Sequence, residues 1–153
     1  MDANRHPLPP NRVLFACVHN AGRSQIAAAL FNLLTDQNKA LAISAGTQPA
    51  PHMHPEVVDA MGEIGIILSG VRPLLLTNDL AGQATLLITM GCGENCPVIP
   101  GQFREEWNVP DPKGQPPVKV REIRDLILRL VKNLIARKDW GGKPPGPGSR
   151  PAG

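Results

Sequence analysis

Residues 13–24 read VLFACVHNAGRS, and this stretch decides the expected fold. Residues 13–17 form an unbroken apolar run, which is typical of a short strand buried on both faces. The run stops at Cys17, and residues 24–38 then carry apolar side chains at helical spacing, with Ser24 placed to cap the helix start. The order of strand, short loop and helix indicates a parallel α/β sheet.

The rest of the chain continues this alternation. Further strands are expected at residues 41–44 and 84–90, with a short edge strand near Trp107. Helices are expected at residues 55–62, 77–82 and 118–138. The prediction is a single-domain α/β three-layer sandwich, in which a central four-stranded parallel sheet is flanked by helices. Ligands bind at the carboxyl ends of the strands in such sheets, and Cys17 ends the first strand.

Length and composition set the domain boundaries. A chain of 153 residues suits one domain. It is 42% hydrophobic but only 3% aromatic, with no tyrosine, which predicts an aliphatic core. Residues 1–11 are polar and proline-rich, and residues 140–153 are mostly Gly, Pro and polar residues. Such segments bury too little apolar surface to offset their ordering entropy, so we expect two disordered tails around a domain at 12–139.

Charge and hydropathy exclude several partners. The net charge of +3 suits the capture of small anions, but the chain lacks the clustered Lys/Arg stripe and the aromatic platform of a nucleic-acid-binding protein. No apolar run approaches the roughly 20 residues that span a bilayer, and no secretory signal opens the chain. We therefore expect a cytoplasmic protein with neither a nucleic-acid nor a membrane partner. Three cysteines in a reducing compartment indicate catalytic, redox or metal-binding roles.

The segment from Cys17 to Ser24 has the parts of an anion site. Successive backbone N–H groups in such a loop can form a nest, and the helix N-terminus adds a partial positive charge. Arg23 offers a planar fork for two oxygens, and this field favours the ionised thiol of Cys17. The alternative is that Cys17 is a small apolar residue at the end of a buried strand. The predicted anion-binding residues are His19, Asn20, Ala21, Gly22, Arg23 and Ser24.

Asp111 precedes Pro112 in a long loop. A thiolate that attacks an oxyanion must expel an oxygen, and a carboxylic acid that protonates this oxygen eases its departure. Asp111 is therefore a candidate general acid. Asp and Pro are also common turn residues, so the dipeptide alone has an ordinary structural explanation.

Cys92 and Cys96 follow the third predicted strand at i,i+4 spacing. In a helical turn this spacing puts their Cα atoms about 6 Å apart, within the range of a disulfide. Zinc binding together with Cys17 and a histidine is an alternative, and inert packing is another. No second Cys or His pair follows in register, so no metal site is expected.

These motifs together resemble those of arsenate reductases with the low-molecular-weight protein tyrosine phosphatase fold. The resemblance covers residues 13–136. It rests on CVHNAGRSQIAAALFN at 17–32, SAGT at 44–47, MHPEVVDAMGEIGI at 53–66, ITMGCGENCPVIPG at 88–101 and EEWNVPDP at 105–112. Cysteines after the third strand single out the reductases, because the phosphatases share only the Cys–Arg loop and the Asp-Pro.

The resemblance implies a role for each residue. Cys17 attacks arsenate, Asp111 is the general acid, and Arg23, with Asn20 and Ser24, binds the oxyanion or tunes the thiolate. Cys92 then attacks the Cys17–arsenic adduct, which releases arsenite and leaves a Cys17–Cys92 disulfide. Cys96 attacks Cys92 and moves the disulfide to the surface. No cofactor is bound in this scheme, and thioredoxin, a glutaredoxin-like protein or a small thiol supplies the electrons.

Two other functions remain open. A phosphatase acting on phosphotyrosine or small phosphoesters would use the same pocket, although no tyrosine exists to line a deep aryl site. A non-catalytic oxyanion or metal sensor would use the cysteines as ligands. The resemblance includes relatives with a wider spacing of the last two cysteines. The short spacer between Cys92 and Cys96 keeps two electron donors open, thioredoxin and a small thiol with a glutaredoxin-like protein.

Overall fold

The computed structural model describes residues 8–92 and 95–142. Its strands are β1 (Asn11–Cys17), β2 (Ala40–Gly46), β3 (Leu86–Thr89) and β4 (Phe103–Glu106). Its helices are α1 (Arg23–Leu34), α2 (Pro55–Gly62), α3 (Asn78–Gly82) and α4 (Pro117–Lys138). The strands form one parallel sheet in the order β2-β1-β3-β4. The predicted four-stranded parallel sheet with flanking helices is therefore confirmed.

The helix boundaries differ most at α1. The predicted helix over residues 24–38 ends at Leu34, because Thr35 is extended and the chain turns towards β2. Ser24 does not cap this helix: Gly22 occupies the capping position without a side-chain bond, and Ser24 lies inside the helix. Its hydroxyl is instead used by Cys17, as described below. The predicted helix over 55–62 matches α2 at both ends.

The core lies on both faces of the sheet. Alternate residues of β1 separate it into two clusters: Phe15 and Cys17 pack with α1, α2 and α4, whereas Leu14 and Ala16 pack with α3 and the segment before it. The central strands are apolar on both faces, so each face of the sheet is covered by helices or loops. Among the described residues no helix is both long and apolar enough to cross a bilayer.

The core is not purely aliphatic, contrary to expectation. Phe15 packs against Phe31 and Trp107 with ring centroids 5.9 and 5.4 Å apart, and Phe31 also contacts Trp140 at 5.9 Å. The few aromatic residues are thus concentrated in one chain of contacts beside β1. Burial of large rings gives more apolar contact per residue than their share of the composition suggests.

The ends of the domain extend slightly past the expected boundaries. Asn11 begins β1, and Trp140 is buried, although both were assigned to tails. Thr35 also forms an antiparallel bridge with Gly141. The remaining tail predictions fall on residues 1–7 and 143–153, which lie outside the described residues.

Arg124 joins α2 to α4. Its side chain is 9% exposed and donates from Nη1 to the carbonyl of Ala60, 2.8 Å away, in the last turn of α2. The same nitrogen reaches the carboxylate of Glu63, which also accepts from the exposed Arg121. Hydrogen bonds from Arg121 and Arg124 hold the pKa of Glu63 below its ordinary value.

We expect Arg124→Leu to lower the free energy of unfolding by about 1–3 kcal/mol, because it leaves a buried helix-terminal carbonyl without a donor. The matched control is Arg121→Leu, which removes an exposed partner of the same glutamate and should have little effect. Urea denaturation of both variants checks this. Equal losses of stability would show that the pairing with Glu63, and not the buried bond, joins the helices.

Candidate active site

The loop from Cys17 to Gly22 turns its carbonyl groups away from the pocket. The N–H groups of Thr47, Gln48, Ala50 and His54 donate to four of these carbonyls over 2.8–3.1 Å. The side chain of Gln25 takes the carbonyl of Asn20, and Ile26 N–H takes that of Gly22. Residues 47–54 therefore run along the outside of the loop and hold it in one orientation.

The N–H groups of the same loop are unused. Within the described parts of the chain, no hydrogen bond uses the backbone N–H of residues 18–24. Asn20 has φ +51°, a left-handed conformation that asparagine tolerates and that alternates with right-handed residues in anion nests. Seven consecutive N–H groups before and at the start of α1 thus have no partner within the described residues, as is expected of a loop that binds an oxyanion.

Gly46 lets this loop lie against the end of β2. A Cβ on Gly46 would stand 2.5 Å from the carbonyl oxygen of Val18 and 2.8 Å from the amide nitrogen of Asn20. Any larger residue would push the loop away from the sheet. The SAGT motif thus has a steric reason that sequence spacing alone did not disclose.

A chain of hydrogen bonds leads from the backbone of Leu74 through Asn20 and Ser24 to the sulfur of Cys17. Asn20 Oδ1 accepts from the backbone N–H of Leu74 at 2.8 Å, which fixes the amide so that its Nδ2 donates to Ser24 Oγ at 2.7 Å. Ser24 Oγ also lies 2.8 Å from Cys17 Sγ, and either atom can donate; an ionised sulfur has no proton, so Ser24 is then the donor. This arrangement stabilises a negative charge on the sulfur, which is buried and not part of a disulfide.

Arg23 connects the anion loop to two other segments. Its guanidinium donates to the carbonyl of Val109 at 3.1 Å and lies 3.8 Å from the carboxylate of Asp111. A Cβ on Gly91 would stand 2.6 Å from its Nη1, and Gly91 has φ +87°. Gly91 is therefore required both by its backbone conformation and by the closeness of Arg23.

Asp111 stands at the rim of the pocket, and its side chain is partly exposed. Its Oδ1 accepts from the N–H of Lys113 at 3.0 Å, which is an Asx turn. The turn and the ion pair with Arg23 are compatible, because they use different oxygens of the carboxylate. The structure thus brings the predicted acid beside the predicted anion loop.

Gly22 occupies the N-terminal capping position of α1, and its lack of a side chain leaves room for neighbouring residues. A Cβ there would stand 3.0 Å from Pro112 Cγ and 3.3 Å from His54 Cδ2. His54 immediately precedes α2 and is buried. Sequence analysis missed its position, because only the fold brings α2 to the loop.

Cys92 and Cys96 form a disulfide with Cα atoms 5.6 Å apart. The sequence left a disulfide, a zinc site and inert packing open for this pair, and the structure shows the disulfide. Both residues are only 3% exposed and pack with Leu14 and Ala16, on the face of the sheet opposite Cys17. The disulfide is therefore buried, which corrects the expectation that it lies at the surface.

Comparisons with known proteins agree with this architecture. A family model described as low molecular weight phosphotyrosine protein phosphatase matches residues 12–139. A Halobacterium salinarum protein is 36% identical over 125 residues, covering 79% of this chain and 88% of its own. The glutaredoxin arsenate reductase of Synechocystis is 32% identical over 129 residues, covering 82% and 97%.

A solved structure extends the likeness to three dimensions. The thioredoxin-dependent arsenate reductase of Corynebacterium glutamicum superposes with a TM-score of 0.73 at 37% identity, over 86% of this chain. The present chain spans 63% of that protein's chain. The resemblance drawn from the motifs is thus confirmed, and the chain belongs to the low molecular weight phosphotyrosine protein phosphatase family.

Proposed function

We propose that this protein is an arsenate reductase, which converts arsenate to arsenite through Cys17, Cys92 and Cys96. The observation that carries the proposal is a buried free thiol in the anion loop together with two further cysteines, joined as a disulfide, after the neighbouring strand. Hydrolysis of a phosphoester needs only the loop with Cys17 and Arg23, and the acid Asp111. A two-electron reduction needs further thiols, and this chain supplies them.

In the first step, the thiolate of Cys17 attacks arsenic while the loop N–H groups and Arg23 hold the other oxygens. A sulfur–arsenic bond forms, and one oxygen leaves as water after taking the proton of Asp111. Ser24 directs its hydroxyl towards the attacking sulfur. Such preorganised donors stabilise the charge that develops on the oxyanion.

In the second step, the thiolate of Cys92 attacks the sulfur of Cys17. The sulfur–arsenic bond breaks with its electron pair moving to arsenic, so that arsenic(V) becomes arsenic(III) and arsenite leaves. Cys96 then attacks Cys92, and Cys17 departs as a thiolate. The structure has the disulfide pattern that this last exchange would leave, with Cys92 and Cys96 joined and Cys17 free.

The exchange needs movement around Gly91. Cys17 and Cys92 belong to clusters on opposite faces of the sheet. Gly91 adjoins Cys92 and has the backbone freedom for Cys92 to reach Cys17. Since the final disulfide is buried, an external dithiol must also displace this segment before it attacks.

A thiol reductant closes the cycle in this proposal. Support comes from the names of two similar proteins, one a glutaredoxin arsenate reductase and the other thioredoxin-dependent. The test is arsenate-dependent oxidation of NADPH in the presence of thioredoxin and its reductase, with glutaredoxin and glutathione assayed in parallel. Absence of turnover with every donor would contradict the proposal.

A phosphatase is the second candidate, because Cys17, Arg23 and Asp111 are grouped as phosphoester hydrolysis requires. We expect only weak hydrolysis of phenyl phosphate. Cys92→Ser separates the two functions, since it should abolish arsenate turnover and leave hydrolysis unchanged. Hydrolysis that persists in Cys92→Ser while wild-type protein reduces no arsenate would make the phosphatase the better assignment.

We expect Cys96→Ser to release about one arsenite per protein and then stop, because Cys17–Cys92 has no resolving thiol. Peptide mass spectrometry after arsenate treatment should find that disulfide. Cys17→Ser is the control and should release no arsenite. Sustained cycling of Cys96→Ser with a small thiol would show that the thiol, and not Cys96, resolves the intermediate.

We expect Gly91→Ala to lower kcat/KM for arsenate by about a hundredfold, because the methyl group displaces the guanidinium of Arg23 from the oxyanion. Gly101→Ala is the matched control, since Gly101 has φ +79° with open space around it and so carries the backbone strain alone. Steady-state kinetics and thermal melts of both variants check this. Equal kinetic losses would mean that strain, and not the contact with Arg23, causes the effect.

A further inference from the structure

The imidazole of His54 lies where the anion loop meets the Asp111 segment. His54 Cδ2 and Pro112 Cγ both pack on Gly22, 3.3 and 3.0 Å from where its Cβ would be. The ring and the proline thus both approach the position that a side chain on residue 22 would occupy. Pro112 directly follows Asp111, so the position of the proline constrains that of the carboxylate.

The backbone fixes His54 to the loop. Its N–H donates to the carbonyl of Ala21 at 3.1 Å, and the residue immediately precedes α2, which begins with Pro55. The residue is only 8% exposed. The backbone bond and the burial therefore keep the imidazole beside Gly22, the position that Pro112 also approaches.

The charges around His54 come from three segments. Asp111 and Lys113 face it from the acid loop, Glu56 from α2, and His19 from the anion loop, where the two imidazole centroids are 5.9 Å apart. Burial lowers the pKa of His54 below its ordinary value of 6.5, and repulsion from His19 and Lys113 acts in the same direction, although Glu56 and Asp111 oppose it. The ring is thus neutral at pH 7.

We infer that His54 is a positioning residue, which holds Pro112 in place and thereby keeps Asp111 at the rim of the oxyanion pocket. The inference rests on the proposed function for the reaction that it serves. Loss of the ring opens a space beside Gly22 into which Pro112 can move. Asp111 then shifts relative to Arg23, 3.8 Å away, and to the oxygen that it protonates.

The role predicts a separation of catalysis from binding. His54→Ala should lower kcat for arsenate about tenfold, a part of the roughly 10²–10⁴-fold that a well-placed general acid contributes. The affinity for phosphate, measured by protection of Cys17 from iodoacetamide, should change less than twofold, because the loop N–H groups and Arg23 remain. His54→Gln, which keeps a neutral side chain of similar reach, should restore most of kcat. His52→Ala is the matched control, since His52 is exposed in the same segment.

The pH profile gives a readout that simple packing would not change. Burial holds the pKa of His54 below its ordinary value, so the wild-type ring takes up a proton only in the acidic range. We expect kcat to decline there, because a charged imidazole no longer packs in this buried position as the neutral ring does. His54→Gln cannot take up this proton, and its kcat should decline less over the same range. Both proteins are assayed with the same substrate and buffers, so the difference between the two profiles reports on the imidazole.

A double-mutant cycle makes the decisive test. In an Asp111→Asn background, His54→Ala should cause no further loss of kcat, because the residue that it positions is already inactive. Additive losses, an unchanged kcat in His54→Ala, or equal losses of kcat and phosphate protection would each overturn the inference. If wild-type protein reduces no arsenate, the proposed function fails, and phenyl phosphate hydrolysis supplies the same kcat readout for His54.

Discussion

The outward pinning of the carbonyl groups from Cys17 to Gly22 is the constraint on which the site depends. A free loop could turn either its carbonyls or its amides towards a ligand. Here residues 47–54 and Gln25 occupy the carbonyls from outside, so only the amides can face the pocket. The absence of a Cβ at Gly46 makes this close approach possible. An anion site thus arises from the way β2 and the following segment lie against β1.

Arg23 connects the anion loop to the segments that carry Asp111 and Cys92. It is the first residue of α1, so its backbone belongs to the anion site, yet its side chain contacts Val109, Asp111 and Gly91. The segment that carries Asp111 and the segment before Cys92 therefore both lie against the guanidinium of Arg23. A rearrangement at Gly91, such as the proposed thiol relay requires, would therefore also displace the guanidinium of Arg23, the proposed ligand of the oxyanion.

The sheet itself separates the two halves of the proposed reaction. Successive side chains of a strand point to opposite faces, so Cys17 lies with α1 while the Cys92–Cys96 disulfide lies with Leu14 and Ala16. This separation keeps the disulfide away from the anion cup. It also buries the disulfide, so a protein reductant could reach the sulfur atoms only after the segment of Cys92 and Cys96 moved.

By itself, the sequence determined the parallel α/β fold and the anion loop, because apolar runs, helical spacing and the motif from Cys17 to Ser24 are local patterns. The spacing of Cys92 and Cys96 allowed a disulfide but left zinc binding and inert packing open, and the contact of Ser24 with Cys17 was expected from their closeness in sequence. Contacts between residues far apart in sequence depended on the tertiary structure. It placed His54 against Gly22, Arg23 on Gly91 and the disulfide on the far face of the sheet. These contacts depend on how distant elements pack, and no spacing within one segment encodes that packing.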